Sequence, residues 1–205
     1  MRGAIVFFLV LTAACGAGRE AAPVASADSS RPWAQPGDVI DSILPMAEYQ
    51  RRFREGLVAV TALEGGAESP EALARNFLAA ISARDTAALR RMVLSRAEFA
   101  WLFFPDHRYS EPPYELDPAI FWLQVTAENG KGLERTLQRY GGSPLTLQRL
   151  ECTADTLQML RGPTTLLGPC TVRYRTADST ITRRLFGSVI RRDGRVKFVS
   201  YANEF

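Results

Sequence analysis

Histidine is almost missing from this chain of 205 residues, where His107 stands alone. Lysine is nearly as rare: Lys131 and Lys197 are the only two among 25 basic residues, so arginine carries the positive charge. Cysteine occurs three times, at Cys15, Cys152 and Cys170. A single histidine far in sequence from Cys152 and Cys170 excludes the usual zinc spacings, in which ligands recur within a few residues of one another. No metal or other cofactor is expected. Also absent are a glycine-rich phosphate loop and a nucleophile elbow. The formal net charge of +3 is close to balance, which gives no support for a nucleic-acid partner. There is no internal repeat, and no apolar run reaches the roughly 20 residues that a bilayer-spanning helix needs.

What is present begins at the N-terminus. Arg2 supplies a positive start, and Ala4 to Ala14 form a short uncharged stretch ending in small residues. That arrangement is the pattern of an export signal. With Cys15 placed directly after Leu11-Thr12-Ala13-Ala14, it resembles a bacterial lipoprotein signal. The resemblance implies cleavage before Cys15, acylation of its thiol and a membrane anchor. Thr12 departs from the pattern, because leucine usually stands at that place. Cleavage of an ordinary secretory signal nearby, for instance after Ala17, is the alternative. Gly16 follows the cysteine in place of aspartate, which resembles lipoproteins sent to the outer membrane, facing the periplasm. Export would bring the chain into an oxidising compartment. With Cys15 taken by lipid, Cys152 and Cys170 are then left to pair with each other, the alternative being two buried free thiols.

Residues 15–37 are rich in Gly, Ala, Ser and Pro and read as a flexible tether with Trp33 its one large apolar residue. In residues 38–68, Met46, Tyr49, Phe53 and Leu57 form a helical stripe for an accessory helix, and Leu57 to Leu63 reads as a short extended piece. The domain proper, 69–205, opens on Ser69-Pro70-Glu71, a cap, a first-turn proline and an early acid. Leu73, Phe77 and Ile81 then recur at four-residue steps. Asp85 caps a second helix, and Ser95 with Glu98 makes a capping box for a third, which Pro105 stops. Two further helices are expected, one around Ile120 to Leu123 and one from Leu133 to Tyr140. From Leu145 the period becomes two. Strands are expected around Leu145, around Cys170 to Tyr174, over one long run from Ile181 to Ile190, and from Val196 to Tyr201. Asp193-Gly194 supplies the hairpin turn between the last two. Helices followed by an antiparallel sheet make an α+β domain.

Two stretches carry a family resemblance: Leu73-Ala74-Arg75-Asn76-Phe77 through Asp85-Thr86-Ala87-Ala88-Leu89, and the closing hairpin around Asp193-Gly194. In arrangement the domain resembles the nuclear transport factor 2-like superfamily, which implies a cone in which a curved sheet wraps around helices and leaves a pocket. Fold does not fix function in that group, which includes isomerases, dehydratases, binding modules and structural domains.

Three sets of residues are candidates for a site. Asp106 and His107 are the one defensible acid–base pair, since histidine titrates near neutrality and a carboxylate can orient it. Phe99, Trp101, Phe103, Phe104, Phe121 and Trp122 form either core or the apolar wall of a ligand pocket. Arg173 and Arg175 fall on one strand face, as a solvated surface or as a seat for an anionic partner. The combined expectation is an exported, lipid-anchored envelope protein whose domain binds a small apolar ligand or a partner protein without catalysis. An isomerase or dehydratase using the same pocket is the alternative, and an assembly scaffold is the third reading.

Overall fold

Each predicted cap is used. The computed structural model describes residues 43–154 and 162–204. The signal, Cys15 and the tether with Trp33 lie outside the described residues. Helix α1 (Met46–Arg54) buries Phe53. In α2 (Pro70–Ala83), the Ser69 side chain accepts a hydrogen bond from the Ala72 backbone N–H, and Leu73, Phe77 and Ile81 face inward with Ala74 and Leu78. Asp85 caps α3 (Thr86–Met92) in the same way through Ala88. Ser95 and Glu98 form the reciprocal capping box of α4 (Arg96–Glu98). The chain then widens into a π-turn over Phe99–Phe103 and tightens over Phe104–Asp106 and Arg108–Ser110.

Where two helices were expected, one continuous helix α5 runs through Pro118–Tyr140, past Gly130 and Gly132. Glycine normally weakens a helix interior, but Gly132 has a packing role. A Cβ there would lie 1.8 Å from the Tyr201 carbonyl oxygen. The C-terminal segment therefore lies directly on the helix, where Asn129 accepts from the Tyr201 N–H and Asn203 donates to the Gly132 carbonyl and to Thr136. Leu57 to Leu63 is not a strand; only Ala67, just beyond it, makes a bridge to Val196.

Five strands form one antiparallel sheet: β1 (Thr146–Ala154), β2 (Thr165–Arg175), β3 (Thr180–Arg183), β4 (Val189–Arg192) and β5 (Arg195–Phe198). The order is β1-β2-β4-β5, with β3 also beside β2. One edge of β2 pairs along β1, while its other edge is shared, Thr165–Leu167 with β4 and Val172–Arg175 with β3. The single strand expected from Ile181 to Ile190 is thus two strands. Alternation fails between them because the adjacent residues Leu185 and Phe186 are both fully buried. Opposite this break β2 changes the face it presents, at Gly168 with φ of +139°. At the β4–β5 turn Asp193 and Gly194 both adopt positive φ, as the tight primed hairpin turn requires.

The sheet separates two apolar clusters. The first packs Leu73, Phe77, Ile81 and Leu89 of the helices on Cys170, Val172, Tyr174, Val189, Val196 and Phe198. The second gathers Phe53, Leu94, Phe99, Leu102, Phe103, Phe104 and Val125 over Ile190 and Val199. Both faces of the β4–β5 hairpin are covered. The outward face of β1, β2 and β3 is not.

Candidate functional site

His107 sits between the two tight turns that follow Phe104 and is only 3% exposed. Its ring packs against Phe103, Tyr109 and Phe121 with centroids 5.2, 4.7 and 5.0 Å away. Nδ1 accepts a hydrogen bond from the Tyr109 backbone N–H at 3.2 Å, so this nitrogen serves as a cap. Asp106 takes another direction. Its carboxylate lies 3.6 Å from the Arg192 guanidinium. Burial raises its pKa above the ordinary value, against the opposing pull of Arg192 and a hydrogen bond from Thr164. Aspartate near a half-buried arginine and histidine in an aromatic cage are each explained by local packing.

The aromatic candidates are brought together, as neighbours of one another. Phe99 is at the centre, with ring centroids 5.1–5.8 Å from Phe53, Phe103, Phe104, Phe121 and Trp122. The π-turn makes this possible by adding a residue to the turn, so that Phe99, Phe103 and Phe104 all reach the interior. Trp101 lies at the edge of this cluster, partly buried against it. The Arg54 guanidinium lies 4.2 Å from its ring centroid and donates to the Ala100 carbonyl, and the two residues line a surface groove of about 490 Å³ with Ala47, Gln50, Arg51 and Glu55.

Cys152 and Cys170 are register partners on β1 and β2 and form a disulfide, with Cα atoms 4.1 Å apart. The bond staples the two long strands near the C-terminal end of β1.

Arg173 and Arg175 both project from the uncovered face of β2. Arg173 pairs in register with Arg149 of β1 on one side and Thr182 of β3 on the other. Like charges placed directly opposite each other destabilise a sheet. Glu151 neutralises Arg149 at 2.7 Å. Arg149, Glu151, Thr171, Arg173 and Thr182 enclose a shallow groove of about 200 Å³.

One charged cluster escaped sequence reasoning. Lys197 and Glu98 form a buried ion pair at 2.8 Å, with side chains only 4% and 2% exposed. The ammonium also donates to the Glu64 carbonyl, and the Glu98 carboxylate accepts the backbone N–H groups of Glu64 and Ser95. Every strong hydrogen-bonding direction is taken, so the cluster clamps β5, α4 and the 63–67 segment together. A signal existed: one of only two lysines stands in an otherwise apolar run, Val196-Lys197-Phe198-Val199.

A second cavity of about 490 Å³ opens at the break between β3 and β4, lined by Pro169, Arg184, Phe186, Ser188, Ser200 and Glu204 among others. Its one cation, Arg184, is paired with Glu204. Among the described residues, no group of three or more His, Cys, Asp and Glu is placed to hold a metal ion, and no helix is long and apolar enough to cross a membrane. No protein-family model, curated protein or solved structure matches this chain, which stands as an α+β domain of helices on a five-stranded antiparallel sheet.

Proposed function

We propose that this chain is an exported bacterial lipoprotein, tethered through acylated Cys15. In this reading its cone-like domain, of the nuclear transport factor 2-like kind, is a non-catalytic module that binds an acidic envelope partner on the arginine face of the sheet. The observation that carries the reading is Arg173, held opposite Arg149 on an uncovered sheet face with Arg175 two residues on. Arg149 is already paired with Glu151, so the positive charge of Arg173 and Arg175 on this face is what an anionic partner would meet. The mutual packing of Phe99, Phe103, Phe104, Phe121 and Trp122 favours a partner at the surface over a small apolar ligand inside. The Cys152–Cys170 disulfide favours an oxidising compartment and hence export.

The anchor is tested by the intact mass of the protein purified from membranes. A diacylglyceryl adduct on Cys15, and precursor accumulation under globomycin, are expected. Soluble protein cut at another site contradicts the anchor. The partner is tested with an Arg173→Glu/Arg175→Glu chain, which is expected to stay membrane-bound but to lose salt-sensitive co-purification of an acidic envelope protein. Unchanged co-purification contradicts the arginine face.

A further inference from the structure

Helix α5 leaves two large apolar side chains in water, Ile120 at 50% and Leu123 at 68% exposure. Their spacing, continued by exposed Ala127, puts them on one stripe along the first turns of the helix. Leu44, at the start of the described chain, shares a groove of about 210 Å³ with Ala119, Tyr49, Phe53, Arg52, Arg96 and Asp117. Ile43, next to Leu44, is 86% exposed. On the loop before α5, Tyr114 is exposed, and the Arg108 guanidinium lies 5.0 Å from its ring centroid.

We infer that this face, Ile43 and Leu44 together with Ile120 and Leu123, rests on the lipid bilayer, so that the anchored domain lies against the membrane instead of swinging free. The inference rests on the Cys15 anchor proposed above. The described chain begins at the edge of this face, and Cys15 lies only the 27 residues 16–42 upstream. Even fully extended, 27 residues span no more than about 95 Å. A tether of this reach gives an effective concentration on the order of millimolar, at which a weak apolar contact suffices. The four side chains Ile43, Leu44, Ile120 and Leu123 are too small a patch for a stable dimer, which buries about 800 Å² per partner. An apolar helix stripe suits the bilayer interface, and Tyr114 with Arg108 stands on the loop that leads into the helix. Charge is not the driving force. Arg52 and Arg96 share their groove with Asp117, so the contact is expected on zwitterionic as well as anionic lipid.

The test uses the full acylated chain in phosphatidylcholine vesicles, labelled with bimane at Ile120→Cys, at Leu123→Cys or at Thr180→Cys on exposed β3. Cys152 and Cys170 are bonded to each other, so the introduced thiol takes the label. With doxyl-phosphatidylcholine in the vesicles, at least twofold quenching is expected at 120 and 123 and none at 180. Equal quenching at all three positions overturns the inference. So does a shielded label at 123 that responds to dilution with unlabelled protein and not to the quencher, since that marks a second copy. Failure of the anchor is read separately, from a missing acyl mass on Cys15. Selective quenching on added vesicles then still supports the face, whereas an acylated chain without selective quenching refutes the face and leaves the anchor standing.

Discussion

At the scale of single residues, the strongest constraint is the Lys197–Glu98 pair, because both charges are out of water. Removing one partner strands the other, which costs about 3–5 kcal/mol in comparable buried pairs. Lys197→Met is therefore expected to lower stability by about that amount in urea unfolding, and Glu98→Gln combined with it is expected to restore part of the loss. A loss under about 1 kcal/mol for the single variant would contradict the clamp. Tyr201 and Tyr174 tie stability to pH in the alkaline range. The Tyr201 hydroxyl donates to the Leu89 carbonyl at 2.6 Å, and burial pushes its pKa above the ordinary 10.0. Tyr174 is shifted in the same direction, by burial and by the neighbouring Tyr140. For both, the folded state favours the neutral phenol. The unfolded chain thus ionises first, and stability falls as pH rises above about 10. Tyr201→Phe should flatten that fall while costing about 1–3 kcal/mol at neutral pH for the stranded Leu89 carbonyl. An alkaline unfolding profile unchanged by the substitution would count against this assignment.

At the scale of elements, α5 offers a paired comparison within one helix. A Cβ at Gly130 meets nothing within 4 Å, whereas one at Gly132 collides with the Tyr201 backbone. Gly130→Ala is expected to stabilise by about 1 kcal/mol, the propensity difference. Gly132→Ala should destabilise despite the same propensity gain, because the C-terminal segment must move away. Equal effects in thermal unfolding would show that the segment does not lie on the helix. The Cys152–Cys170 bond closes a loop with a sequence separation of 18, worth about 3 kcal/mol in the chain-entropy model. A Cys152→Ala/Cys170→Ala chain should lose roughly that much. Signals confined to one turn were readable in the sequence: Ser69-Pro70, Asp85, the Ser95–Glu98 box and Asp193-Gly194 all do locally what their chemistry indicates. What periodicity concealed depends on distant partners. The run from Ile120 to Tyr140 reads as two helices, although it is one helix with Gly132 under Tyr201, and Ile181 to Ile190 reads as one strand until β2 divides its edge between β3 and β4.

At the scale of the whole molecule, the helices-then-sheet order was legible, and so was the α+β class. Asp106 and His107 were legible only as residue types. That His107 caps Tyr109 inside an aromatic cage depends on the turns around it and on Phe121 from α5, which no local pattern reveals. Arg173 and Arg175 were readable as one face from alternation alone, but the opposing Arg149 required the β1–β2 register. The domain described by residues 43–204 thus fills its aromatic cluster and leaves an arginine-bearing sheet face uncovered. Its proposed role therefore lies at that surface. The measurement that tests this most directly is photo-crosslinking in cells from a photoreactive residue at Thr182, beside Arg173 in the same groove. The account predicts a discrete adduct with an acidic envelope protein that disappears with Arg173→Glu/Arg175→Glu and persists with His107→Gln. An adduct that survives charge reversal, or one abolished by the His107 substitution in a folded protein, would contradict it.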